Sequence, residues 1–94
     1  MFGLAFDLDT EAAKRNHPSR TSAQAYTDIR VTLAPFGFHR IQGSTYAADH
    51  EDLGRLFLAL TALRSLVWFG ASLHNIRVFR MEQGTDFTAI MKQA

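Results

Sequence analysis

Two acidic residues that could serve chemistry, Asp7 and Asp9, end an apolar run near the start of the chain, "LAFDLDT" at positions 4–10. Side chains alternate between the two faces of a strand, so both carboxylates fall on the same face. A carboxylate held there can deprotonate or orient an attacking hydroxyl, as phosphodiester cleavage requires. The simpler interpretation is a strand with one solvated face, in which Asp9 and Thr10 begin a turn.

The spacing of these carboxylates is a weak indication of a metal site. Two positions along a straight strand lie about 6.6 Å apart, from a rise of roughly 3.3 Å per residue, which is long for two ligands of one ion. The four histidines have no metal-ligand spacing, and the chain has no cysteine, which excludes thiolate ligands, a thiol nucleophile and disulfides. We therefore predict no cofactor and no metal ligands. A metal-dependent nuclease that uses Asp7 from two subunits is an alternative.

Length and composition predict a single domain over residues 1–94, because compact domains usually span about 100–150 residues. A hydrophobic fraction of 47% and a charged fraction of 20% are ordinary for a globular protein. The net charge of +1 gives no broad basic field, so any nucleic-acid contact must come from a local patch. With no leader-like segment and no apolar run of 18 residues, the sequence predicts a cytoplasmic protein without membrane contact.

The hydrophobic pattern predicts alternating strands and helices. Phe2, Leu4, Phe6 and Leu8 share the buried face of a first strand, which a polar loop containing Pro18 follows. A helix at 23–33, capped by Thr21 or Ser22, is predicted next, followed by strands at 37–42 and 44–48 joined at Gly43. A second helix follows Asp49 or His50 and stops at Gly70. A strand at 75–81 and a short C-terminal helix capped by Thr85 complete the predicted elements. The stripe that the long helix is expected to bury consists of Leu53, Leu56, Phe57, Leu60, Leu63 and Val67.

This order of elements, βαββαβ, is that of the α+β ferredoxin-like fold, a split β-α-β arrangement. It predicts a four-stranded antiparallel sheet in the order 4-1-3-2, with both helices on one face. The first strand is then central, and its carboxyl end lies beside the starts of strands three and four. The topology therefore brings five further residues near Asp7: Gly43, Ser44, His74, Asn75 and Arg77.

Of these five residues and Asp7, three are candidates for catalysis on an RNA phosphodiester. Asp7 is predicted to be the base for the 2′-hydroxyl or to orient it, and His74 to supply the proton to the leaving oxygen. Ser44 is predicted to hold a phosphate oxygen through its hydroxyl. The competing interpretations are that Ser44 is an ordinary hairpin residue and that most of the four histidines are solvated, with His17 in a solvated loop.

The other three are candidates for substrate binding. Gly43 offers the backbone N–H groups of its turn, Asn75 an amide, and Arg77 a guanidinium whose geometry matches phosphate oxygens. The structural alternatives are that Gly43 is present for its backbone freedom and that Arg77 lies on a half-exposed strand like any other.

The sheet face opposite the helices is predicted to be apolar and exposed. Gly3 and Ala5 would share it with Phe79 or Met81 of the last strand. Exposed apolar patches on small domains usually mark interaction surfaces, and a two-fold homodimer would cover this one. Such a dimer would bring two copies of Asp7 towards each other across a groove.

Several stretches together resemble the virulence-associated protein D (VapD) family. They are "LAFDL" at 4–8, "AYTDI" with "LAPFGF" at 25–38, "QGSTY" at 42–46, and "IRVFRMEQ" with "DFT" at 76–88. That family is similar in fold to the small CRISPR-associated endoribonucleases, with a ferredoxin-like core that dimerises. The resemblance implies a toxin of a toxin–antitoxin pair that cuts single-stranded RNA.

The resemblance carries over to individual residues and also shows two departures. The matching site positions are Asp7, Gly43, Ser44 and Arg77. The family often has an arginine-aspartate pair where this chain has His74 and Asn75, so activity here could be weaker or differently organised. Gly84 stands where a larger residue is expected. Asp9 has no clear counterpart in the family.

Residues and resemblance together predict a cytoplasmic, homodimeric endoribonuclease that acts on single-stranded RNA and has a small antitoxin protein as a partner. The alternative is a non-catalytic dimeric module that binds protein or nucleic acid, because a fold does not dictate a function. The two differ in whether any RNA is cut.

Overall fold

Four strands form one antiparallel sheet in the computed structural model, which describes residues 1–80. Within that range they alternate with four α-helices and one 3-10 turn. The elements in chain order are β1 (Phe2–Leu8), α1 (Thr10–Asn16), α2 (Ser22–Leu33), the 3-10 turn (Ala34–Phe36), β2 (Phe38–Gln42), β3 (Thr45–Ala48), α3 (Leu53–Arg64), α4 (Val67–Ser72) and β4 (Leu73–Arg80). None of the helices in residues 1–80 has the length and apolar character needed to span a membrane. The sequence predictions that lie outside the described residues are those for Met81, Gly84 and the helix from Thr85.

The sheet has the order β2-β3-β1-β4, which confirms the predicted 4-1-3-2 order and the ferredoxin-like fold. β1 is antiparallel to β3 on one side and to β4 on the other. Leu4 lies opposite Tyr46 of β3 and Val78 of β4, so these three residues share one face. Because strand residues alternate, this register determines which side chains meet on each face.

The apolar face of β1 forms the centre of the core, as the alternation predicted. The four residues of that face are all buried: Phe2, Leu4, Phe6 and Leu8. The Phe6 ring stacks on Tyr46, with centroids 5.9 Å apart, and meets Phe69 edge-on at 5.6 Å. Truncating a buried ring of this kind costs about 3–5 kcal/mol, because the cavity left behind closes only in part.

Helix α2 covers this core face and agrees with the predicted range. The hydroxyl of Thr21 accepts the backbone N–H of Gln24 at 3.3 Å, which caps the helix at its N-terminus. Ala25, Ile29 and Leu33 are fully buried and follow one another at four-residue intervals, so they form a single stripe against the sheet.

The predicted polar loop after β1 is wrong over Thr10–Asn16, which is helix α1. The Asp9 carboxylate accepts the backbone N–H of Ala12 at 3.0 Å and so caps the helix. Ala12 and Ala13 are buried, which gives this short helix an apolar contact. A capping carboxylate and two alanines favour a helix although the remaining residues are polar. Pro18 lies beyond the helix and does not interrupt it.

The next helix begins later than predicted. Asp52, rather than Asp49 or His50, is the N-cap of α3, and its carboxylate accepts the backbone N–H of Arg55 at 3.1 Å. The side chain of His50 hydrogen-bonds instead to the carbonyl of Phe36 at 2.8 Å. The local capping geometry thus decides the start among three neighbouring polar residues.

The predicted apolar stripe of this helix is only partly buried. Leu56 and Leu63 are buried and Leu60 is packed against the core, whereas the exposed members are Leu53, Phe57 and Val67. The helix ends at Arg64, and the extended backbone of Leu66 separates it from α4, so Val67 leaves the stripe. Gly70, predicted as the stop, lies inside α4.

A buried histidine connects three helices, so the prediction that His17 is solvated is wrong. Its ring is 5% exposed. Nδ1 accepts the backbone N–H of Ser19 at 3.0 Å, so the neutral ring carries its proton on Nε2, which donates to the Asp28 carboxylate at 2.6 Å. The ring centroids of His17 and Trp68 are 4.9 Å apart, edge to face. The imidazole therefore ties the end of α1 to α2 and α4.

Replacing Asp28 with alanine is expected to lower the free energy of unfolding at pH 7 by about 1 kcal/mol, because a charge-assisted but partly exposed hydrogen bond is lost. The hydrogen bond from His17, and then that from Gln24, holds the pKa of Asp28 below its usual value. A carboxyl with a lowered folded pKa stabilises the fold above its unfolded pKa, and this contribution is lost as the pH falls through the folded pKa. Urea unfolding at pH 7 and at acidic pH measures both effects. An equal deficit at the two pH values, or the same deficit in the exposed control Asp49→Ala, contradicts this role.

Replacing Gly3 with alanine is expected to displace the Phe79 ring. The two residues are partners across β1 and β4, and a Cβ built on Gly3 overlaps carbons of that ring. Overpacking of this kind typically costs about 1–3 kcal/mol. A double-mutant cycle in urea tests the cause, since Gly3→Ala should become nearly neutral in a Phe79→Ala background. A cost that is unchanged in that background would assign the effect to the backbone instead.

Candidate active site

Asp7 lies at the end of β1 on the face that the helices leave uncovered. Its side chain is exposed, whereas Phe6 and Leu8 on either side of it are buried. Its partner across the ladder is Asn75 of β4, which is also exposed. The face containing Asp7 is called the open face below.

Arg77 shares the open face with these two residues. It pairs with Ala5, which is two positions before Asp7, and two-residue steps keep the side chains of a strand on one face. The guanidinium is exposed and forms no ion pair with any other residue in the range 1–80. The structure therefore brings together a carboxylate, an amide and a cation, as the topology predicted for Asp7, Asn75 and Arg77.

His74 occupies a β-bulge next to this group. The ladder passes from the pair Asp7–Asn75 directly to the pair Leu8–Leu73, so His74 is the extra residue of β4. Bulges redirect side chains and are often found beside functional sites. The imidazole is exposed and lies close enough for its charge to affect Asp9.

The carboxylate of Asp9 has a structural role as the N-cap of α1. The pKa of its carboxyl is lowered, mainly because the carboxylate accepts the backbone N–H of Ala12, with a smaller contribution from the charge of His74. This carboxylate caps α1, so of the two acidic residues in "LAFDLDT" only Asp7 is free of such a hydrogen bond within residues 1–80.

The Gly43–Ser44 turn connects β2 to β3 and lies beside the end of β1. Gly43 has a φ of +45°, in the left-handed region that favours glycine. The carbonyl of Ser44 accepts the backbone N–H of Phe6 at 3.1 Å, which fixes the turn next to the residue before Asp7. Both turn residues line a cleft to which helix α2 also contributes, and Asp7 is not among the residues of that cleft.

This cleft has a volume of about 370 Å³ and was not anticipated from the sequence. Its lining residues are Tyr26, Thr27, Arg30, Arg40, Gly43, Ser44 and Tyr46. Arg40 and Tyr46 are partners across the hairpin, and Ile41 is an extra residue between that pair and the pair Gln42–Thr45. Tyr26 and Arg30 stand one helical turn apart on α2, a spacing that would have indicated a shared face but not what it faces.

Tyr46 is the most enclosed residue of the cleft. It is 1% exposed, and this burial raises the pKa of its hydroxyl, against which the positive charges of Arg40 and Arg30 act in the opposite direction. The hydroxyl is therefore protonated at neutral pH and can donate a hydrogen bond. It forms none with any group in residues 1–80.

The histidine and carboxylate side chains of residues 1–80 do not form a group of three or more suited to holding a metal ion.

Comparison with known proteins identifies relatives along the whole chain. No protein-family model matches it. It is 48% identical over 92 residues to the endoribonuclease VapD homolog of Neisseria gonorrhoeae, covering 98% of this chain and 99% of that protein. It is 45% identical over 92 residues to the endoribonuclease VapD of Haemophilus influenzae, with the same coverage, and 35% identical over 94 residues to that of Dichelobacter nodosus, with both chains covered completely. Identity at this level over complete chains shows that the chain belongs to the VapD family, as the motifs of its strands and hairpin predicted.

Proposed function

We propose that the protein is an endoribonuclease that cleaves single-stranded RNA at the open face around Asp7. The observation that carries this proposal is that Asp7 is exposed beside Asn75 and Arg77 and that its carboxylate, unlike that of Asp9, does not cap a helix. The full-length relatives named endoribonuclease VapD support the same activity. Asp7 lies at the end of β1, where its pairing with Asn75 of β4 holds its backbone in position.

The proposed reaction is attack by an RNA 2′-oxygen on the adjacent phosphorus. Asp7 accepts the 2′-hydroxyl proton or orients that hydroxyl, and the bond from phosphorus to the 5′-oxygen breaks. His74 gives a proton to the leaving 5′-oxygen, so the products are a 2′,3′-cyclic phosphate and a 5′-hydroxyl. Each proton transfer of this kind contributes typically about 10²–10⁴-fold to the rate.

Charge on the phosphate increases as the bond to the nucleophile forms. Arg77 is proposed to stabilise that charge through its guanidinium, and Asn75 to add an amide contact. Gly43 and Ser44 are proposed to hold a phosphate oxygen at the rim of the sheet. Their turn is bonded to Phe6, so the substrate would pass from the open face to this turn.

Assembly and cellular context are part of the proposal. The open face is less exposed than predicted, since the Phe79 ring covers the buried Gly3 and both Ala5 and Phe79 are half-buried. A homodimer through this face would cover the apolar surface that remains. We propose that the protein acts in the cytoplasm as the toxin of a pair, restrained by a small antitoxin protein.

The first test is Asp7→Asn. This change keeps the shape of the side chain and removes its basicity, so cleavage of a single-stranded RNA under single-turnover conditions should fall by about 10²–10⁴-fold. The matched control is Asp9→Asn, because asparagine also caps helices and Asp9 has no proposed contact with RNA. Its rate should stay near that of the unchanged protein. Full activity of Asp7→Asn would remove Asp7 from the mechanism.

The second test separates metal-independent from metal-dependent cleavage. Attack by the 2′-oxygen with Asp7 and His74 needs no metal ion, so EDTA should leave the rate unchanged and the products should end in cyclic phosphate. Loss of cleavage with EDTA would favour a metal held by Asp7 from two subunits. Absence of cleavage of any RNA would favour the non-catalytic interaction module.

A further inference from the structure

We propose that the cleft between α2 and the β2–β3 hairpin is a binding subsite for a backbone phosphate of the RNA, held by Arg30, Arg40 and the Tyr46 hydroxyl. This inference rests on the proposed function for the identity of the ligand. The subsite shares the Gly43–Ser44 turn with the site proposed around Asp7, but it contains none of the open-face residues Asp7, Asn75 and Arg77, because it lies on the side of the sheet that α2 covers.

The cleft is held in shape by secondary structure on two sides. Arg40 and Tyr46 are direct partners in the hairpin, so their side chains leave the same face at close spacing. Tyr26 and Arg30 lie on successive turns of α2. Ile29, which precedes Arg30 in the same helix, is fully buried and anchors the helix in the core. A ligand in the cleft would therefore meet groups that are already positioned.

The charge of the cleft favours an anion. Neither arginine forms an ion pair with a carboxylate in residues 1–80, and all seven lining residues are neutral or basic. Arg40 donates from Nε to the carbonyl of Gly43 at 3.0 Å, which leaves its terminal nitrogens available. This is the kind of local basic patch that a protein of net charge +1 needs in order to bind nucleic acid.

The Tyr46 hydroxyl adds a donor to the two cations. It forms no hydrogen bond within residues 1–80 and is not an enclosed atom without a partner, so its oxygen is open to a ligand in the cleft. The hydroxyl lies in the lining of the cleft near both guanidinium groups. A phosphate oxygen there would accept its proton and pair with two cations.

The position of the cleft favours RNA over another anion. The Gly43–Ser44 turn lines the cleft, and the same turn is hydrogen-bonded to Phe6, the residue before Asp7. An RNA strand that passes Asp7 can continue across this turn, which would bring a phosphate further along the strand to Arg30 and Arg40. A volume of about 370 Å³ lies within the range of small ligand sites, about 300–1,000 Å³. The half-exposed Tyr26 ring offers a surface on which a base can stack.

The test measures binding without cleavage, using a fluorescently labelled single-stranded RNA whose 2′-hydroxyls are methylated. Arg30→Gln removes a charge that makes no hydrogen bond in residues 1–80, and Tyr46→Phe removes only the hydroxyl from a buried ring. The control is Arg64→Gln, which removes an exposed charge from the end of α3, outside the cleft. Thermal unfolding of each variant verifies that the fold is kept.

Each cleft variant is expected to weaken binding about tenfold, and the control less than twofold. Arg30→Gln should also lower the slope of log K against log salt concentration by about 0.7, the value for one phosphate contact on a single strand, whereas Tyr46→Phe should leave the slope unchanged. With cleavable RNA, both variants should need more RNA for the half-maximal rate and keep the saturating rate.

The subsite proposal is overturned if Arg30→Gln and Tyr46→Phe bind the RNA as tightly as the unchanged protein does. This holds even if Asp7-dependent cleavage is intact. A loss of saturating rate without a loss of affinity would also overturn it, since the cleft would then act in the chemical step. If the unchanged protein binds the methylated RNA through Arg30 yet cuts no RNA, the endoribonuclease proposal fails and the phosphate subsite stands.

Discussion

The pairing of β1 between two antiparallel strands is the constraint on which the rest of the structure depends. Because β3 and β4 hydrogen-bond to it from both sides, every residue of β1 is committed to one face. Leu4 and its apolar neighbours complete the core, while Asp7 is presented to solvent opposite Asn75. A slip of one residue would bury the carboxylate and expose the aromatic rings. The same hydrogen bonds therefore determine the stability of the core and the position of the acid.

Helix α2 shows how a small domain uses each residue of a single turn differently. Successive residues of a helix point about 100° apart, so Asp28, Ile29 and Arg30 face three directions. Asp28 bonds to His17 and fixes α1, Ile29 fills the core, and Arg30 lines the basic cleft. The same helix thus positions the buried imidazole and the cleft. Ile29, packed in the core between Asp28 and Arg30, fixes the orientation of the helix for both.

The sequence predicted the fold and the open-face group because both follow from local periodicity. The alternation in β1 and the order of elements were enough to bring Asp7 near Asn75 and Arg77. Helix α1 was missed because its polar composition obscured the Asp9 cap. The cleft could not be predicted, since Arg30 approaches the hairpin only through tertiary packing. The bulge that leaves His74 unpaired is likewise a feature of strand pairing that composition does not report.

The irregular β2–β3 hairpin has a consequence for how this part of the chain can vary in evolution. Ile41 is accommodated as an extra residue, and the tight turn at Gly43 closes the hairpin with Arg40 and Tyr46 on the same side. Surface loops usually accept insertions and deletions, because nothing depends on their length. Here a gain or loss of one residue would turn Tyr46 or its partner to the opposite side of the sheet. Residues 40–46 should therefore tolerate substitutions more readily than a change in the length of the hairpin.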